Sequence, residues 1–174
     1  MLHPNRPAFA PLPPGHGPRH IAISSDGKFA YVINELKPVV TVFSRDPNSG
    51  ALTKQLQELS LVPEGYTGEN APAEIAIHEG QRVYTSNRGP GTLGVFSIDN
   101  GGGNLQHVQT AQTGATWPRG FEFDPTGHFL VVGDQKANKF VVFSVDANTG
   151  SLTATGKQYD VPSPVGFLFV PAAR

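Results

Sequence analysis

Apolar positions along this chain come in short runs, and the runs return in a fixed order. A first run follows a proline: Pro18-Arg19-His20-Ile21-Ala22-Ile23, Pro72-Ala73-Glu74-Ile75-Ala76-Ile77 and Pro118-Arg119-Gly120-Phe121-Glu122-Phe123. It starts a fourth time at Pro164-Val165-Gly166-Phe167-Leu168-Phe169. Successive prolines lie 54, 46 and 46 residues apart. Next come turns ending in glycine, Ser25-Asp26-Gly27, His78-Glu79-Gly80 and Pro125-Thr126-Gly127. Glycine supplies the positive φ that tight hairpins need. A second run is β-branched or aromatic: Phe29 to Ile33, Val83 to Thr85, Phe129 to Val132. A third covers Val39 to Phe43, Leu93 to Phe96 and Phe140 to Phe143. Turns rich in Asp, Asn and Gly follow at 46–50, 99–102 and 146–150, and a more polar fourth run starts at Leu52, Leu105 and Leu152.

Four strands per unit at this spacing predict an all-β fold, a β-propeller with one blade per repeat. The polar fourth run suits an outermost strand with one edge in water. The apolar second and third runs suit strands packed between blades. The expected organisation is one partial domain. Residues 1–17 are the tail of a preceding blade, 18–71, 72–117 and 118–161 are three four-stranded blades, and 162–174 is the first strand of a further blade. A β-sandwich is the alternative, disfavoured because four starts in register do not arise easily by chance. Three units and an extra strand do not close a ring, since propellers use about 4 to 8 blades. The missing blades or a second copy are therefore expected to complete it, and the open blade faces are expected to make the chain associate.

Composition narrows the classes. Thirteen basic and fourteen acidic residues leave a net charge of −1, with no electrostatic footprint for nucleic acid or an anionic membrane. No apolar stretch approaches the roughly 18 residues a spanning helix needs. With no cysteine, thiol chemistry and cysteine-bound metal are excluded. The 20 glycines and 16 prolines are spread along the chain, as many short strands require. The first 20 residues carry no signal-peptide pattern, and the cytoplasm is the expected location. Metal-binding spacings, a Gly-x-Ser-x-Gly elbow and a phosphate-cradling loop are absent, so no metal and no cofactor is expected.

Several stretches carry a resemblance. Gly15-His16-Gly17-Pro18-Arg19-His20-Ile21-Ala22 and Gly27-Lys28-Phe29-Ala30-Tyr31-Val32-Ile33-Asn34-Glu35-Leu36 resemble the lactonase family of seven-bladed propellers. So do Glu69-Asn70-Ala71-Pro72-Ala73-Glu74-Ile75, Ser86-Asn87-Arg88-Gly89 and Val161-Pro162-Ser163-Pro164-Val165. The resemblance spans the whole chain and implies a parent about twice as long, with this chain supplying later blades. Family members carry a further histidine upstream, outside this chain, and the turn at Glu79-Gly80-Gln81 is shorter than theirs. The family includes 6-phosphogluconolactonases and a fungal carboxymuconate-lactonising cyclase. It implies a hydrolase of carbohydrate metabolism, at the lactone-opening step of the pentose phosphate pathway. A cycloisomerase and an inactive fragment or binding module are the rivals, because fold alone does not fix function.

Blade geometry points to the same residues independently. Strands one and two form a hairpin, so the start of one and the end of the other share a rim. That gathers Arg19, Glu35, Arg88 and Arg119 at one mouth of the channel, with Gln135 in the place of Glu35 in the third unit. Arginines suit phosphate or carboxylate and a developing oxyanion. Glu35 is expected as the base that activates water, its pKa lowered by a neighbouring arginine. The resemblance also implies Arg19, Glu35 and Arg88. His20 is expected to orient Glu35 or shuttle a proton. Arg119, Glu69 and Asn70 are expected to bind substrate, the latter two from the 63–70 loop with Tyr66, although a plain connection is the simpler reading of that loop. His16 sits in a glycine-rich connection. His3, His78, His107 and His128 read as turn or surface residues, and Trp117 as packing between blades.

Overall fold

A computed structural model describes residues 4–99 and 101–170. Twelve strands form three four-stranded antiparallel sheets, each in sequential order. The first holds β1 (Pro18–Ile23), β2 (Phe29–Asn34), β3 (Val39–Arg45) and β4 (Leu52–Ser60). The second holds β5 (Ala71–His78), β6 (Arg82–Arg88), β7 (Thr92–Ile98) and β8 (Leu105–Gln112). The third holds β9 (Pro118–Phe123), β10 (Phe129–Asp134), β11 (Lys139–Val145) and β12 (Leu152–Asp160). The turn glycines Gly27, Gly80 and Gly127 adopt φ of +71°, +67° and +74°, where a side chain would be strained.

The period of two along each strand divides its side chains between neighbouring blades. On β2, Tyr31 and Ile33 point toward the second blade and join Val40, Val42, Ile75, Val83 and Phe96 in one buried cluster. Ala30 and Val32, on the opposite face, pack with Phe43 and with Ala10 and Leu12 of the N-terminal segment. A matching cluster joins blades two and three through Tyr84, Leu93, Val95, Phe121, Leu130, Val132 and Phe143. Polar clamps reinforce both seams. Gln57 donates to the Leu105 carbonyl at 3.0 Å and accepts from the Leu105 N–H at 2.8 Å. Gln109 repeats this on Leu152, at 2.9 and 2.7 Å.

Where the first strand of a further blade is expected, residues 162–170 pair with no strand, and Ser163 takes φ +46°. A strand needs a hydrogen-bonded neighbour, and among the described residues this segment has none beside it. It lies instead across the third blade. The Val165 carbonyl presses on Gly120, leaving no room for a Cβ there, and Phe167 packs edge-on against Phe140, centroids 5.8 Å apart. Residues 171–174 of that expected strand, Asn100 of the predicted turn, and His3 lie outside the described residues.

Candidate active site

The antiparallel register fixes one rim. Pro18 pairs with Asn34, Pro72 with Asn87 and Pro118 with Asp134. The start of each first strand therefore lies beside the end of each second strand. Glu35 follows Asn34 there, its N–H bonded to the Gly17 carbonyl at 2.8 Å. Arg88, 4% exposed, closes β6. It donates from Nη2 to Glu35 Oε1 across the seam between blades. Its own blade holds it through the Ala71 carbonyl on Nε at 2.9 Å and the Pro72 carbonyl on Nη2 at 3.3 Å. Arg19 Nε stands 3.8 Å from Glu35 Oε2, while its Nη1 donates to the Ala73 carbonyl.

Electrostatics ties the four predicted rim residues together. The Arg88 hydrogen bond, then the charges of Arg88, Arg19 and Arg119, hold the Glu35 carboxyl below its usual value. Burial first, then Arg88, draws the Arg19 guanidinium down, and Arg119 adds to it. Arg119 accordingly stands in the same field, and among the described residues its side chain bonds only Gln135 Oε1, from Nη1 at 3.3 Å.

His20 departs from expectation. Its Nδ1 bonds Glu74 Oε1 at 2.6 Å rather than Glu35. A carboxylate only accepts, so Nδ1 carries the proton. Arg19 Nη1 lies 3.1 Å from Nε2 and 3.5 Å from Nδ1. The Arg19 guanidinium is thus within hydrogen-bond reach of Nε2. Glu74 was legible only from register, since it holds the place of His20 in the second repeat.

The remaining candidates divide. Asn70 braces its loop by donating to the Leu61 carbonyl at 3.0 Å. Glu69 is exposed, its carbonyl accepting from the Tyr66 hydroxyl at 2.9 Å. His16 is buried, its Nε2 bonded to Glu58 Oε2 at 2.8 Å and its Nδ1 to the Pro13 carbonyl at 2.9 Å. His78 is no surface residue. It stacks on Phe123 between blades, centroids 4.1 Å apart. Trp117 stands half-buried at the rim, with Lys136 Nζ 3.0 Å from its ring centroid and Arg88 Cζ 5.7 Å from it. A cavity of about 440 Å³ between the outer parts of blades one and two includes none of the Arg and Glu side chains of the rim.

Comparison with known proteins gives the family. The family model described as "Lactonase, 7-bladed beta-propeller" matches residues 2–169. The chain belongs to the lactonase family. A 6-phosphogluconolactonase of Bacillus subtilis (strain 168) is 36% identical over 158 residues, covering 90% of this chain and 45% of the relative. Among solved structures, a putative 6-phosphogluconolactonase from Bacteroides fragilis aligns with TM-score 0.87 at 32% identity, over 98% of this chain and 47% of that one. A periplasmic gluconolactonase of Pseudomonas aeruginosa aligns with TM-score 0.86 at 37% identity, over 92% and 44%. The chain spans about half the length of the curated relatives it matches. The three sheets are accordingly blades of a β-propeller.

Proposed function

We propose that these blades carry the rim of a lactone-hydrolysing site that opens an anionic sugar lactone, 6-phosphogluconolactone or a close analogue, to its acid. The observation that carries this reading is Glu35 held between Arg19 and Arg88, guanidinium groups from two blades. Glu35 positions a water and takes its proton as the water oxygen bonds to the lactone carbonyl carbon. Among the described residues, Arg88 Nη1 and Arg19 Nη2 make no hydrogen bond. These donors face the charge that develops on the carbonyl oxygen. Collapse of the tetrahedral intermediate breaks the bond to the ring oxygen, which leaves with the proton Glu35 returns. His20, fixed by Glu74 and touching Arg19, stands beside the same cluster as a shuttle. The other blades, or a second copy, complete the channel around the substrate.

Relatives named 6-phosphogluconolactonase favour hydrolysis over cycloisomerisation. Among the described residues no helix is long and apolar enough to cross a membrane. A cytoplasmic location belongs to the same proposal, and cell fractionation checks it. The decisive variant is Glu35→Gln, which keeps the shape and removes the charge. Hydrolysis of 6-phosphogluconolactone is expected to fall by about 10²-fold or more. Unchanged turnover with an intact fold would overturn the role given to Glu35.

A further inference from the structure

Setting the three blades in register exposes a charge imbalance at the rim. After the opening proline, the first strands carry Arg19-His20, Ala73-Glu74 and Arg119-Gly120. After the closing Asn or Asp, the second strands lead into Glu35-Leu36, Arg88-Gly89 and Gln135-Lys136. The first blade thus presents one guanidinium and one carboxylate, and so does the second. The third presents two cations, Arg119 and Lys136, and no carboxylate at these positions.

Contacts sharpen the imbalance. Glu35 forms ion pairs with both Arg19 and Arg88, and Glu74 takes His20. Among the described residues neither Arg119 nor Lys136 forms an ion pair. The neutral Gln135 amide is the hydrogen-bond partner of Arg119. Asp134 is close in sequence but turned inward, 2% exposed. Its Oδ2 accepts from the Trp117 N–H at 2.6 Å and its Oδ1 from the Ala137 N–H at 2.8 Å. The Lys136 ammonium rests on the Trp117 ring instead of on an oxygen. A π face attracts the charge and fixes its place, yet it leaves N–H donors for an incoming acceptor. Arg88 near the same ring links this corner to the Glu35 cluster.

We infer that Arg119 and Lys136, the latter held by Trp117, form the subsite for the phosphoryl group of the substrate, an assignment that rests on the lactonase reading for its orientation. A phosphate near neutral pH carries almost two negative charges on three strongly accepting oxygens. Two unpaired cations answer that charge, one of them a planar fork of donors. With the phosphoryl group on the third blade, the lactone carbonyl lies toward Glu35, between Arg19 and Arg88. Trp117 is a positioning residue, acting through Lys136.

Two measurements on the chain test this. Inorganic phosphate is titrated and followed by amide chemical shifts, with Arg119→Gln and Lys136→Gln beside the parent. Each variant is expected to weaken phosphate binding about tenfold, the worth of a charge-assisted contact. Equal affinity in parent and both variants overturns the subsite. In the second measurement, kcat/KM is compared for the phosphorylated and the unphosphorylated sugar lactone. The ratio is expected to fall about tenfold in either variant, and an unchanged ratio overturns the assignment. If the parent opens neither lactone, these blades alone do not complete the catalytic site, and the phosphate titration alone decides the subsite.

Discussion

Glu35 is a weak base by construction. The hydrogen bond from Arg88 holds its carboxyl below 4.5, whereas proton transfer at neutral pH is best served by a pKa nearer 7. In the proposed reaction its contribution therefore comes more from holding a water in line than from basicity. That has a consequence for pH. The folded pKa is depressed, so Glu35 stays ionised throughout the neutral range and loses its charge only as pH falls through the lowered value. Its ion pairs stabilise the fold above the unfolded-state pKa and are lost over the same acid window. The acid limb of kcat/KM is expected to lie below pH 4.5, the ordinary value of this carboxyl. A limb centred at pH 6 to 7, where an unshifted histidine titrates, would transfer the proton-accepting role to another group. At this scale much of the candidate site is legible in the sequence. Arg19, Glu35, Arg88 and Arg119 are legible because antiparallel pairing carries both strand ends to one rim. Glu74 and Lys136 are not, because each is an ordinary charged residue until blades are set in register. Trp117 is hidden for another reason. Aromatic residues next to a strand usually pack inward, and only three dimensions show Lys136 on its ring.

The strands themselves were the most readable feature, since glycine turns and β-branched runs repeat in one order and the three fourth-strand cues act locally. What pattern does not disclose is how one blade grips the next. Gln57 and Gln109 look like solvent-facing residues of polar outer strands. Both instead reach across a seam and satisfy an N–H and a carbonyl of the first residue on the neighbouring outer strand. The third blade has no such glutamine at the matching place. There the Val142 carbonyl accepts from Thr155 Oγ1 at 2.7 Å, and Gly156 takes φ +77°. Replacing Gln57 with leucine keeps bulk and removes both bonds, leaving Leu105 polar atoms without their half-buried partner. The expected cost is about 2 kcal/mol, read from urea unfolding of parent and variant. A change within about 0.5 kcal/mol, the scatter of an ordinary surface substitution, would make the clamp incidental.

Three blades leave two faces for which the described chain has no blade, and the ends of the chain cover them only in part. Ala10 and Leu12 lie over Ala30, Val32 and Phe43 of the first blade, but Ile21 and Ile23 remain 53% and 42% exposed on its innermost strand. On the third blade Phe167 reaches Phe140, while Val165, Leu168 and Val170 stay largely in water. Contiguous apolar surface of this kind drives association, and strand edges beside it add a second route. Local runs of residues specify each blade, whereas closure of the ring depends on surfaces that no local pattern encodes. The expected behaviour in dilute buffer is therefore a concentration-dependent rise in mass above the monomer, measured by light scattering. Converting Ile21 and Ile23 together to lysine is expected to push the mass back toward the monomer, because two charges would have to be buried unpaired at the first-blade face. If the parent chain is already a monodisperse monomer across that range, the terminal segments suffice to cover both faces. A second copy is then not what completes the channel.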